Sequence, residues 1–152
     1  MLCFPAMAQS PVLSRNAPQD KPVLAADDVE KAAFDSAIAP YVAQAKRTYP
    51  EARARFIAGL PEGQSFFVIT RLHDASGRFE QVFVAVREIR DGVIAGRIWS
   101  DVQVVSGYKF GETYSFPESD LVDWLIAHPD GSEEGNVVGK FLDTYQGGNG
   151  AR

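Results

Sequence analysis

Phe116-Pro117-Glu118-Ser119-Asp120-Leu121-Val122-Asp123-Trp124, followed by Asp130-Gly131 and then Gly135-Asn136-Val137-Val138-Gly139-Lys140-Phe141, is the stretch on which the fold turns. Pro117 lacks the N–H that a central strand must donate, so it closes one strand. Leu121 to Ala127 then alternates as another, with Val122, Trp124 and Ile126 on one side and Leu121, Asp123 and Leu125 on the other. In Pro129-Asp130-Gly131, proline presets φ and glycine accepts a positive φ, which is a turn. Glu133 to Tyr145 closes as a short helix, and Gln146 to Arg152 reads as a flexible tail. Asp123, Trp124, Asp130, Gly131 and Gly139 are the expected structural residues of this part.

Working back towards the N-terminus, the texture is β-branched and aromatic. Ser65 to His73 reads as a strand, Asp74-Ala75-Ser76-Gly77 as a hairpin turn and Phe79 to Ile89 as the second strand. Asp91-Gly92 signals a two-residue turn into a third strand, Val93 to Trp99. Asp101 to Gly107 crosses, and a fourth strand runs from Tyr114 to Phe116. Along the second strand Val82, Val84 and Val86 share one side, and Phe83, Ala85 and Ile89 the other. Apolar groups on both sides call for a curved sheet packed on itself or capped by helices.

Ahead of the strands, Asp27 and Asp28 supply an N-cap and favourable negative charge for an alanine-rich helix. Pro40 makes this one kinked helix or two. A further short helix is expected from Pro50 to Gly59, with Phe56 and Ile57 turned inward. Gln9 to Ala26 has prolines at 11, 18 and 22 among polar residues and no apolar periodicity, the chemistry of a linker. Residues 1–8, Met1-Leu2-Cys3-Phe4-Pro5-Ala6-Met7-Ala8, resemble the end of a secretory signal, with small residues at Ala6 and Ala8, although no basic region precedes them. Periplasmic or secreted location is the expectation, with a cytoplasmic protein as the alternative.

The 152 residues, 45% of them hydrophobic, suffice for one domain with a core, placed at 27–145. A net charge of −5 argues against general nucleic-acid binding, which needs concentrated Lys and Arg. Between residues 112 and 145 eight acids face the single Lys140. A basic cluster, Lys46, Arg47, Arg53 and Arg55, lies on the helical front and reads as a solvated face complementing that acidic third, since no glycine loop accompanies it to cradle an anion. Cys3 is the only cysteine, and His73 and His128 are the only histidines, so neither an internal disulfide nor an ordinary histidine-rich metal site is expected. No apolar run is long enough to cross a bilayer.

Asp123 is the sharpest chemical candidate, because a carboxylate beside a large indole is desolvated and its pKa moves. The structural counterpart is a carboxylate that accepts backbone N–H groups while Trp124 fills the core. Asp130, Glu133 and Glu134 with Asp123 lack the alternating acids of a calcium loop, and Gly135 to Lys140 lacks the spacing of a phosphate loop, so no metal or cofactor is expected. Trp99, Tyr108, Phe110 and Tyr114 form an aromatic set suited to binding a protein or small ligand if they gather on the surface.

From about Ala33 to Tyr145 the chain resembles the bacterial domain-of-unknown-function family 2314, the YegJ-like proteins. The resemblance rests on Ala43-Gln44-Ala45-Lys46-Arg47-Thr48-Tyr49-Pro50, Gly63, the Glu80 to Val86 strand, Gly96, Gly111, Asp123-Trp124, Asp130-Gly131 and the glycine-spaced C-terminus. Ser132-Glu133-Glu134-Gly135-Asn136 departs from the expected glycine run. The resemblance implies a small α+β domain, often exported, and brings no reaction or catalytic residues. The expectation is an α+β fold with an antiparallel, curved sheet of about five strands, N-terminal helices and a short C-terminal helix. Its function is expected to be that of a non-catalytic binding or accessory module; the alternative is a small hydrolase-like enzyme using Asp123 with His128 or Glu134.

Overall fold

The computed structural model describes residues 28–148. The leader-like start, the linker, Asp27 and residues 149–152 lie outside the described residues. The elements are α1 (Asp28–Ala58), β1 (Ser65–His73), β2 (Phe79–Arg90), β3 (Val93–Ile98), β4 (Thr113–Pro117), a 3-10 turn (Glu118–Asp120), β5 (Asp123–Ala127), β6 (Glu133–Gly135) and α2 (Val137–Gly148). The strands form one antiparallel six-stranded sheet in the order β4-β3-β2-β1-β5-β6. The α+β expectation holds.

Several expectations need correction. The N-terminal helices are one helix of 31 residues that contains both Pro40 and Pro50. Each proline orphans the carbonyl four residues back, on Ser36 and Lys46, and all four residues are exposed, so water can replace the lost bond. What holds the helix together across its prolines is its packed stripe: Ile38, Ala45, Tyr49 and Ala52 are buried, with Phe34, Tyr41, Val42 and Phe56 packed beside them at helical spacing. Ile57 falls off this stripe and is 55% exposed, not turned inward. The second correction is the sixth strand. Glu133–Gly135 pairs with Leu125–Ala127, and the C-terminal helix starts at Val137. Third, that helix runs on through Gly148, so residues 146–148 belong to α2 and not to a tail.

Burial of both faces gives the sheet its covering. On one face Phe66, Val68, Leu72, Val82, Val84, Ile94, Ile98, Trp124 and Ile126 pack with Ala45, Tyr49 and Ala52 of α1. On the other, Phe67, Leu125 and Ala127 cluster with Phe83, Ala85 and Trp99. Ile89 was expected on this second side but packs with the first cluster. The reason is a register shift in the β2–β3 ladder, where Val86 pairs with Gly96 and Glu88 with Ala95, leaving Arg87 as an extra residue. One inserted residue reverses the alternation beyond it, so Ile89 joins Val82, Val84 and Val86 on one face.

α1 runs antiparallel to β1. Near its C-terminal end Phe56 stacks on Phe66, and near its N-terminal end Phe34 meets Phe79 and Asp35 bonds Arg71. Arg71 alternates with Leu72 of the first face, so the helix passes from one face of the sheet towards the other beyond the end of β5. There it meets α2, with Ile38, Val138 and Leu142 buried between them and Tyr41 stacked on Phe141.

Candidate functional site

Asp123 opens β5 and is fully buried. Its Oδ1 accepts the N–H of Trp124 at 2.8 Å and its Oδ2 accepts that of Val138 at 2.7 Å. Val138 stands in the first turn of α2, whose N-terminal N–H groups have no partner within the helix. Asp123 therefore caps a helix from a neighbouring strand. Burial pushes its pKa up to about 7, against the pull of the Val138 and Trp124 N–H groups and of Lys140; Glu133 adds to the rise.

Trp124 fills the other side, donating Nε1–H to Thr48 Oγ1 of α1 at 2.9 Å. Gly135, with φ of +76°, lies against it: a Cβ there would stand 2.4 Å from the Trp124 carbonyl oxygen. Asn136, just ahead of α2, then donates its N–H to that same carbonyl at 2.7 Å. At Gly139 a Cβ would fall 2.2 Å from Asn136 Oδ1, so the first turn of α2 closes on the asparagine. The Asp130-Gly131 turn is tied by Asp130 Oδ1, which accepts the N–H and the hydroxyl of Ser132.

The two alternative partners of Asp123 lie at the opposite end of β5. His128 Nε2 is 2.7 Å from Glu134 Oε2, and Arg55 holds the same carboxylate through two contacts of 2.8 and 2.9 Å. Arg55, foremost, and His128 hold Glu134 down to about 2 despite partial burial. The structure thus brings His128 and Glu134 together and leaves Asp123 out of their hydrogen-bond network. Arg53 likewise bonds Glu118 at 2.6 Å, beside the Tyr49 hydroxyl that donates to the same oxygen. Two members of the basic cluster are thereby paired with the acidic third.

The aromatic set is split. Trp99 and Phe110 contact at 4.7 Å between ring centres beside the second face, with Phe110 49% exposed. Tyr108 meets Tyr114 edge-on, and both pack against the first-face core. The four do not make one patch.

A groove of about 440 Å³ runs between α1 and the segment leading into β5. Ile38, Val42, Leu121 and Val122 give it apolar walls, and Asp35, Lys46, Arg71 and Asp120 bring charge to it. It is largely open to solvent rather than enclosed, so a ligand there would be only partly covered. Arg71 is fixed there: it donates to Asp35 and to Gln81 Oε1, and its guanidinium lies 4.5 Å from the Phe79 ring centre. Sequence reasoning missed this groove, although an arginine within the apolar run Phe66 to Leu72 was a visible signal.

Two further carboxylates were missed and are architectural. Glu80, buried, accepts the N–H groups of Gln103 and Val104 and so latches the crossing segment to β2. Asp74 gathers Ser76, Arg78 and Ser106 at the β1–β2 hairpin, and the Ser76 hydroxyl is foremost in holding its pKa well below the usual range. Among the described residues no group of His, Cys, Asp and Glu is placed to hold a metal ion, and no helix is long and apolar enough to cross a membrane. No family model matches the chain, and no curated protein or solved structure matches it either.

Proposed function

We propose that this chain is a non-catalytic binding or accessory module of the bacterial envelope. The observation that carries the reading is the state of Asp123: both oxygens accept backbone N–H groups and none of the residue meets solvent. A general base must reach the proton that it removes, and a sealed carboxylate reaches none. Glu134, held ionised by Arg55, is equally unsuited to accept a proton near neutral pH. What remains accessible is recognition surface: the groove along α1, and the Trp99–Phe110 pair. Assignment to the envelope is supported by the leader-like Ala6 and Ala8 and by the resemblance to domain-of-unknown-function family 2314.

The test is a panel of chromogenic esters, phosphates, glycosides and peptides incubated with the full chain. Turnover is expected to stay at the buffer rate. Turnover that disappears in His128→Gln, with the melting temperature retained, would overturn the reading. For location, fractionation of cells carrying the full open reading frame should place the protein outside the cytoplasm.

A further inference from the structure

We propose that the groove along α1 takes a short peptide of apolar residues with free termini, its carboxylate beside Lys46 and its ammonium beside Asp120. This rests on the binding-module reading and names the ligand class for it. The walls fix the body of the ligand: Ala39, Val42, Ala43 and Val122 offer apolar contact over the buried Ile38 and Leu121, and Ser119 stands among them. The charges fix its ends. Arg71 and Asp35 neutralise each other, Asp35 also takes Lys31, and Arg71 is further held by Gln81. Lys46 and Asp120 are the remaining charged lining residues, and among the described residues neither side chain has a hydrogen-bond or ion-pair partner.

One unpaired charge of each sign beside an apolar trough selects by exclusion. A simple anion meets Asp120, a simple cation meets Lys46, and a neutral hydrocarbon engages neither. A zwitterion with an apolar body suits both. Lys46 lies on α1 and Asp120 in the 3-10 turn, so the two charges come from different walls of the groove. Both side chains are exposed and free, so each can be altered without disturbing the core.

The experiment is a titration of the full chain with leucyl-leucine, its N-acetyl form, its C-amide and glycyl-glycine, followed by NMR shifts or calorimetry. Leucyl-leucine is expected to bind saturably, and glycyl-glycine at least tenfold more weakly, because it lacks the apolar body. Blocking either terminus should weaken binding about two- to fivefold, the scale of a partly solvated ion pair. The decisive pattern is selective: Lys46→Gln should abolish the penalty of amidation alone, and Asp120→Asn that of acetylation alone. No binding by leucyl-leucine at millimolar concentration, or blocked termini that cost nothing, would overturn the ligand class. Hydrolysis of leucyl-leucine would instead overturn the non-catalytic reading while leaving the groove as its site.

Discussion

Replacing Asp123 with Asn is expected to flatten the pH dependence of stability between pH 5 and pH 8. In the folded chain this carboxyl titrates at about 7, well above its ordinary 3.8. A raised folded-state pKa means that the native state holds the proton more tightly than the unfolded chain does, so the stabilisation is full below the unfolded pKa and is lost as pH rises through the folded one. At about 1.4 kcal/mol per pKa unit, the wild type should lose about 3 kcal/mol between pH 5 and pH 8. For a chain of this size that corresponds to a fall of roughly 6 to 12 °C in melting temperature. The other perturbed acids, Asp35, Asp74, Glu118, Asp130 and Glu134, are all shifted downward and stay ionised across this window. Thermal denaturation of wild type and Asp123→Asn at four pH values separates the two. An Asn variant with the same slope as wild type would refute the assignment of that slope to the buried carboxyl.

Below pH 4 the sign reverses: the acids with depressed pKa values contribute stability above their unfolded pKa that disappears as each is protonated, so the wild-type melting temperature should fall again on acidification and peak between pH 4.5 and 6. Glu80→Ala strips the buried partner from Gln103 and Val104; it should cost about 2–4 kcal/mol and speed hydrogen exchange at those two amides before others. Gly135→Ala combines a positive φ with a Cβ 2.4 Å from a backbone oxygen, and should cost more than about 2 kcal/mol by chemical denaturation. Pro50→Ala, on the exposed side of α1, restores a helical N–H and should stabilise the chain by about 1–3 kcal/mol.

Local patterns served the strands well and the helix poorly. β1 is bounded as its texture indicates, and Asp91-Gly92 does turn β2 into β3, because hairpin signals are written in adjacent residues. Helix α1 hides its unity, since Pro40 and Pro50 look like breaks and the stripe that overrides them, from Ile38 to Phe56, gains its energy from a sheet and a second helix far along the chain. β6 was invisible for a related reason: three residues, Glu133 to Gly135, carry no period and are strand only because β5 offers them an edge. Of the candidate site, the Asp123–Trp124 pair was legible as an anomaly, but the partner of its carboxylate, the Val138 N–H, is backbone and leaves no mark in side-chain chemistry. Arg71 and Lys46 lie 25 positions apart and come to line one groove only through the path of α1.

The extra residue in β2 bears on how this chain tolerates change in length. Excising Arg87 would leave Val86 and Ile89 directed as they are now, since the ladder already passes over that position. Excising Val84 would turn every later side chain of the strand inside out, carrying Arg90 to the core and Ile89 to water. Arg87 is thus a vernier in the strand, a place where a codon can be lost without rewriting the residues that follow.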